Sequence, residues 1–294
     1  MSQPTIEVRK ARLPELEGTE TASEAFVVIA RECVDQWQTN EALLRSSRAM
    51  PHLHQTRVGI RRLRCAFSLF RPALREAPEG ADIIHRLRAL ALPFGTARDL
   101  DVLLAGPLVE TLKHGQVATL EASRERAHDQ VATILGSADW LQMRLDLAAF
   151  LNAAPWGLTS DPPIHDVAGA ALDKRWRRVV KRGALLAELP AHERHEVRIE
   201  SKKLRYGCEF FSSLYAVDTP RVLTPKGVEL VGPAAFGSVV EELQGTLGVL
   251  NDHATADLLL QSVGARAPGL DEEALTAEAV TAYTALAALR PFWR

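Results

Sequence analysis

The chain has little of several features that define common protein classes. It holds three cysteines, Cys33, Cys65 and Cys208, and only 6% of its 294 residues are aromatic. Three widely spaced cysteines among apolar residues argue against a disulfide scaffold or a cysteine-based zinc site, so we expect reduced thiols in the core. No uninterrupted apolar run approaches the ~20 residues of a membrane span, and the N-terminus lacks an apolar signal core. We therefore expect a cytoplasmic globular protein with no membrane partner.

The chain as a whole also lacks an excess of charge of either sign. Its 35 Lys and Arg residues nearly balance its 37 Asp and Glu residues, for a formal net charge of -2 at pH 7. This balance disfavours a protein that coats nucleic acid through bulk charge, so any anion site must be local. The sequence holds no Gly-rich phosphate loop and no nucleophile elbow, and we expect no cofactor.

The sequence does contain helical periodicity over almost its whole length. From about Thr21, apolar residues recur at three- and four-residue spacing, and no segment alternates convincingly as a strand would. We predict an all-α protein with a polar N-terminal tail at 1–20 and helical groups at 21–152 and 167–294, joined by a linker at 153–166. The connection at 217–235 is rich in proline and is expected to hold little regular structure.

The second helical group repeats the first. His54–Phe70, HQTRVGIRRLRCAFSLF, aligns without gaps on His195–Phe211, HEVRIESKKLRYGCEFF. Further along the chain, Phe94–Leu104 is repeated more loosely by Leu247–Leu260. Two motifs that recur in the same order indicate a duplicated helical unit.

The repeated motif places a basic stripe of a helix beside an apolar one. At ~100° per residue, Arg57, Arg61 and Arg64 fall within about 80° of His54, and the apolar residues fall on a separate flank. The second copy has four residues at the same angles: His195, Arg198, Lys202 and Arg205. The margins of the two stripes hold Arg62 and Lys203. From residue 57 to residue 64 the first stripe rises about 10 Å, which suits several consecutive phosphoryl groups better than one.

An unrelieved row of positive charges indicates that its counter-charge arrives as a ligand. Neighbouring like charges destabilise a helix by a few tenths of a kcal/mol per pair, and only the second copy is partly relieved, by Glu209. Arginine offers a forked donor set that fits phosphate oxygens. Two alternatives stay open: the rows are solvated faces or bind acidic groups within the protein, and either histidine is a neutral structural residue rather than an anion contact.

Two other kinds of site are considered. Five residues are candidates for a metal centre that hydrolyses phosphate esters: Asp99, Asp101, Asp252, His253 and Asp257. Because Asp99 follows a helix break predicted at Pro93–Gly95, and Asp252 also follows a glycine, we prefer helix N-capping and predict no metal. Trp176 and Tyr206 lie beside basic residues and are candidates for stacking on nucleic-acid bases, but packing between helices is preferred. A nucleic-acid-binding protein and a metal-dependent hydrolase therefore remain the alternatives.

These motifs resemble those of the conserved histidine α-helical domain (CHAD) family. The resemblance rests on HQTRVGIRRLR and HEVRIESKKLRYGCEFF, on ARDLDVLL and LQGTLGVLND, and on the C-terminal PFW, and it covers about Ser23 to Arg294. It implies two four-helix bundles related by pseudo-twofold symmetry, with the basic helices lining a central groove or pore. It also implies non-catalytic binding of inorganic polyphosphate and association with polyphosphate granules. We expect a stand-alone member of the family, and a homodimer is left open.

The resemblance also implies a set of ligand-binding residues by matching position. Those on the two repeated helices are His54, Arg57, Arg61, Arg62, Arg64, His195, Arg198, Lys202, Lys203 and Arg205. Nearby basic faces add the secondary candidates Arg98, Arg175, Arg178 and Arg182. The expected partner of this set is inorganic polyphosphate, with nucleic acid the less favoured partner.

Overall fold

A computed structural model describes residues 7–215, 217–223 and 227–294. Residues 1–6 of the predicted tail and 224–226 of the predicted irregular connection lie outside the described residues. The described residues form ten α-helices and one two-stranded sheet, so the fold is predominantly helical, as predicted. The helices are α1 (Ala22–Ser46), α2 (Met50–Leu69), α3 (Glu79–Leu90), α4 (Leu92–Ala105), α5 (His114–Gly136), α6 (Ala138–Asn152), α7 (Ile164–Gly183), α8 (Ala191–Phe210), α9 (Gly232–Gln261) and α10 (Glu272–Ala288).

The chain divides into two compact units. The first comprises Met1–Arg12, Phe26–Thr159 and Thr255–Ala267, and the second comprises Leu13–Ala25, Ser160–Ala254 and Pro268–Arg294. The first unit thus holds α2 to α6 and most of α1, whereas the second holds α7, α8, α10 and most of α9. The arrangement as two four-helix bundles with pseudo-twofold symmetry stays a prediction.

Aromatic side chains form the core of the first unit. The rings of Phe26 on α1 and Phe67 on α2 meet edge to face at 4.8 Å, and Phe67 stacks on Phe150 of α6 at 5.9 Å. Trp37 of α1 meets Trp140 of α6 at 5.4 Å. Because buried aromatic pairs add to the free energy gained by burying area, these contacts tie α1, α2 and α6 together.

A close backbone approach positions α2 against α1. A Cβ atom added at Gly59 would lie 2.8 Å from the backbone nitrogen of Trp37 and 3.0 Å from the carbonyl oxygen of Cys33. Any side chain at this position would therefore push the two helices apart. The apolar flank predicted for α2 is buried, since Ile60 and Leu63 are 3% and 0% exposed.

The second unit is closed by the C-terminal residues. Phe236 of α9 meets Trp176 of α7 at 5.5 Å and Trp293 at 5.0 Å between ring centroids. The indole Nε1 of Trp293 and the Nε of Arg294 each donate to Asp173 Oδ1 at 2.8 Å. The end of the chain is thus part of the core of this unit.

The structure corrects two details of the predicted secondary structure. The connection at 217–235 is not irregular throughout, because β1 (Arg221–Leu223) pairs antiparallel with β2 (Glu229–Val231) and α9 begins at Gly232. Strands of three residues are too short for the alternation of apolar residues to reveal them. The break before α4 lies at Ala91 rather than at Pro93–Gly95, because proline is tolerated in the first turn of a helix, where its missing N–H costs nothing.

The predicted tail and linker are also more ordered than their composition suggested. In the tail, Leu16 is 5% exposed and its N–H donates to Ser213 Oγ at 2.9 Å. In the linker, α7 already begins at Ile164, and Trp156 stacks on Phe150 at 4.7 Å. None of the helices within the described ranges combines the length and the apolar character needed to cross a membrane.

The Gly59 contact gives a testable prediction about stability. We expect Gly59→Ala to lower the free energy of unfolding by about 2 kcal/mol, because overpacking against backbone outweighs the gain in helix propensity. Urea unfolding followed by circular dichroism measures this change. Gly115→Ala is the matched control, because nothing lies within 4 Å of a Cβ atom at that position. Equal stability of the two variants would contradict the prediction.

Candidate anion-binding site

The basic stripe of the first unit runs along α2. His54 is the fifth residue of this helix, and Arg57, Arg61 and Arg64 follow at one-turn intervals, each half-buried. The apolar flank of α2 is anchored in the core, so the helix cannot rotate to spread these charges into solvent. Among the residues that the structure describes, no hydrogen bond or ion pair joins these three guanidinium groups to a carboxylate.

The guanidinium group of Arg57 lies against α4 beside Gly95. A Cβ atom on Gly95 would be 2.9 Å from Arg57 Nη1. Burial, together with the positive charges of Arg61 and Arg98, lowers the pKa of Arg57 to about 10, although the negative charge of Asp99 acts in the opposite direction. The protein therefore holds this charge at a cost that a bound anion would relieve.

Two arginines from other helices extend the row on α2. Partial burial and the positive charges of Arg98 on α4, Arg61 and Arg57 lower the pKa of His54 below its usual 6.5. Burial and the charges of Arg88 on α3 and of Arg61 lower the pKa of Arg64. His54, Arg57, Arg61, Arg64, Arg88 and Arg98 are called the α2 cluster below. Each arginine in it raises the electrostatic cost of its neighbours.

Sequence reasoning did not find Arg88. It lies on α3, which packs against α2 and belongs to neither repeated motif. Its one signal in the sequence is the spacing of Arg86 and Arg88 on an amphipathic helix, which does not distinguish a ligand contact from a solvated residue.

The second unit repeats this geometry on α8 and α9. Helices α2 and α8 both have 20 residues, and His195, like His54, is the fifth. His195 Nδ1 forms a hydrogen bond with Asn251 Oδ1, and Arg198 Nη2 lies 3.4 Å from Asp252 Oδ1. A Cβ atom on Gly248 would lie 3.8 Å from Arg198 Nε. The two motifs that repeat in the sequence thus contact each other within each unit.

The bases on and near α8 differ from those on α2 because acidic side chains pair with them. Lys203 Nζ lies 2.7 Å from Glu200 Oε1, and Arg205 forms an ion pair with Glu209. The two secondary candidates at the end of α7 are also paired: Arg178 Nη1 lies 3.6 Å from Glu200, and Arg182 Nη1 lies 3.0 Å from Glu196. Lys202 is half-buried on the same helix. The second stripe therefore carries its own counter-charges.

Two predicted ligand contacts lie in the core instead. Arg62 is 2% exposed, and its Nη2 donates to the carbonyl oxygen of Arg12 at 3.1 Å. Arg175 is 4% exposed, and its Nη1 donates to Glu200 Oε2 at 3.1 Å. Burial would raise the pKa of Glu200, but hydrogen bonds and charges from Lys203 and Arg175 outweigh it and hold that pKa below its usual range. These two arginines support the helices that carry the stripes.

The candidates for a metal centre are distributed among other roles. Asp99 lies in the middle of α4 and Asp252 in the middle of α9, so the predicted N-capping role is wrong for both. Asp101 is buried and accepts hydrogen bonds from Arg124 Nε at 2.6 Å and His128 Nε2 at 3.0 Å. Among the residues described, no three His, Cys, Asp or Glu side chains form a group that could hold a metal ion.

The two aromatic residues considered for stacking on bases are buried. Trp176 is 7% exposed and packs on Phe236, and Tyr206 is 4% exposed. Two of the residues considered for a metal centre, His253 and Asp257, form contacts with nearby backbone. His253 Nε2 contacts the carbonyl oxygen of Pro268 at 2.8 Å, and Asp257 accepts from the N–H of Ala267 at 2.9 Å. Packing between helices, the preferred interpretation, is what the structure shows for Trp176, whereas the ring of Tyr206 stacks on Phe210 of the same helix at 6.4 Å.

Comparison with known proteins places the chain in a family. The sequence model of the CHAD domain matches residues 28–261, well over half of the chain, so the chain belongs to the CHAD-domain family, as its motifs predicted. It is similar to the crystal structure of the CHAD domain from the plant Ricinus communis, with 27% identity and a TM-score of 0.73 over 96% of this chain and 92% of that one. PptA from Streptomyces chartreusis shares the fold, with 16% identity and a TM-score of 0.53 over 92% and 96% of the respective chains. No curated protein matched the chain.

The α2 cluster predicts an unusual titration of His54. We expect its imidazole to titrate below 6.5, and Arg61→Gln to raise the pKa, because the substitution removes one nearby positive charge. Since the unfolded chain binds this proton more readily, His54 lowers the stability of the protein as the pH falls below 6.5. NMR titration of the histidine ring protons measures the pKa of His54 in the wild-type protein and in the Arg61→Gln variant. An unchanged His54 pKa in the variant would contradict this account.

The buried carboxylate of Glu200 gives a second prediction. We expect Glu200→Gln to lower the free energy of unfolding by about 3 kcal/mol, because it leaves the charge of Arg175 buried without its counter-ion. Chemical denaturation measures the change. Glu196→Gln, which removes an exposed partner of Arg182, is the control and should cost less than about 1 kcal/mol. Equal losses of stability in the two variants would contradict the prediction that burial makes the Arg175–Glu200 pair more important than an exposed pair.

Proposed function

We propose that this chain binds inorganic polyphosphate without hydrolysing it. The observation that carries the proposal is the row of Arg57, Arg61 and Arg64 on α2, which is held half-buried and has no carboxylate hydrogen-bonded to it within the described residues. The CHAD family is associated with polyphosphate binding, which supports the same ligand. The basic stripe of α8, in the other unit, is a second proposed site.

The geometry of the row favours a linear polyanion. Its guanidinium groups are spaced one helical turn apart over about 10 Å, so a chain of phosphoryl groups can contact them in succession. Forked, charge-assisted hydrogen bonds from arginine suit phosphate oxygens. Each bound phosphate would also screen the mutual repulsion that lowers the pKa values of His54, Arg57 and Arg64. Binding therefore relieves a cost that the free protein carries.

Nucleic acid is the less favoured ligand. The formal net charge of -2 supplies no general attraction to a long duplex or single strand. Trp176 and Tyr206, the aromatic residues beside the basic helices, are buried and have no face available for base stacking. We propose association with polyphosphate granules as a consequence of polyphosphate binding.

Binding is tested with fluorescently labelled polyphosphate of defined chain lengths. We expect affinity to rise with chain length and fall steeply with salt, because several phosphates are contacted and counter-ions are released. Equal affinity for orthophosphate and long polyphosphate would refute the proposal. Competition by RNA and DNA at equal phosphate concentration tests the second ligand class, and phosphate release in the presence of Mg²⁺ would show that the protein is a hydrolase instead.

The contact between Arg57 and Gly95 allows a matched test of the site. We expect Gly95→Ala to weaken polyphosphate binding about tenfold, because the new methyl group displaces the Arg57 guanidinium. Gly248→Ala is the control at the repeated position, where a Cβ atom would make only an ordinary contact at 3.8 Å with Arg198 Nε. Titration of both variants with labelled polyphosphate measures the two affinities. Similar affinities would mean that the position of Arg57 is not important for binding.

A further inference from the structure

We propose that the two copies of the basic helix are unequal, so that polyphosphate binds principally to the α2 cluster of the first unit while α8 is a weaker, self-neutralised site. We further infer that Arg88 on α3 extends the first site. This inference rests on the proposed function, and it assigns the affinity to particular residues of that site.

Acidic side chains pair with the bases of the second unit. Arg198 lies 3.4 Å from Asp252, Lys203 lies 2.7 Å from Glu200, and Arg205 is paired with Glu209. A phosphate that approaches these bases must displace a carboxylate or bind beside its negative charge. Each pair therefore competes with the ligand for the same donors and lowers the affinity of this stripe.

The corresponding arginines of the first unit have different neighbours. Asp99, which occupies the position of Asp252 in the repeat, acts on Arg57, but no carboxylate is hydrogen-bonded to Arg57, Arg61 or Arg64 within the described part of the chain. These guanidinium groups therefore do not have to break a hydrogen bond to a carboxylate before they bind an anion. The repulsion among these three arginines is already present in the free protein, so binding need not supply the free energy that brings them together. The site is therefore preorganised for an anion.

At the Arg64 end of the row, a further arginine comes from α3. Helix α3 packs against α2, and Arg88 is exposed on α3 with its charge acting on Arg64. Arg86, two residues earlier, lies 2.7 Å from Asp146 and is thereby neutralised. The arginines of the α2 cluster thus come from three helices, and a chain longer than the α2 row alone would reach Arg88.

The unequal copies are tested by matched substitutions measured with labelled polyphosphate at one salt concentration. We expect Arg57→Gln to weaken binding at least tenfold and Arg198→Gln to weaken it less than threefold. The double variant Asp252→Asn/Glu209→Gln should bind about threefold or more tightly, because it removes competing carboxylates without adding a base. Urea unfolding of every variant excludes loss of the fold as the cause.

The possible outcomes separate this inference from the proposed function. If the wild-type protein binds polyphosphate but Arg57→Gln and Arg198→Gln lose equal affinity, the copies are equivalent and the inference is wrong while the function stands. If the Asp252→Asn/Glu209→Gln variant binds no more tightly, the carboxylates do not compete and the inference is again overturned. If the wild-type protein binds no polyphosphate, the proposed function itself has failed.

The role of Arg88 is tested by a pair of substitutions on the same helix. We expect Arg88→Gln to weaken binding of long polyphosphate about threefold and to leave binding of tripolyphosphate unchanged, because only a long chain reaches the end of the row. Arg86→Gln is the control and should leave both affinities unchanged, since Asp146 already neutralises that side chain. Identical behaviour of the two variants, or equal losses for short and long chains, would remove Arg88 from the site.

Discussion

Close packing around α2 is the constraint on which the arrangement of charges depends. Gly59 lets α2 approach the backbone of α1, and Gly95 leaves room on α4 for the Arg57 guanidinium. Because one flank of α2 is fixed in an apolar core, the arginines on the neighbouring flank cannot move apart. The free energy gained by burying the apolar flank therefore offsets the repulsion among the basic residues, and the protein maintains a row of donors before any ligand arrives.

The same helix contact occurs in both units, but with different electrostatics. In each unit an arginine of the basic helix lies beside a glycine of a second helix, Arg57 beside Gly95 and Arg198 near Gly248. On α8 the bases are balanced by acids within one turn or on α9, whereas within the described residues no carboxylate is hydrogen-bonded to Arg57, Arg61 or Arg64 on α2. A duplicated structure can thus keep its packing while the two copies diverge in charge, since packing depends on the apolar flank and the glycines.

Much of the fold and part of the site could be predicted from the sequence. The helical class and the buried flank at Ile60 and Leu63 both follow from the period of 3.6 residues. Predictions that depended on where a helix begins were less successful, because Pro93 and Gly95 lie inside α4 rather than before it. The short β1–β2 pair was missed because strands of three residues carry no detectable alternation.

The sequence by itself determined the family, the repeated motif and the angular separation of charge from apolar surface, because these depend on local spacing along a helix. Only the tertiary structure decided which bases are available. It buries Arg62 and Arg175, pairs Arg198 with Asp252 across two helices, and brings the charge of Arg88 on α3 close enough to lower the pKa of Arg64. Burial and ion pairing depend on side chains that lie far apart in the sequence, so the pattern of one helix does not reveal which of its charges are already neutralised.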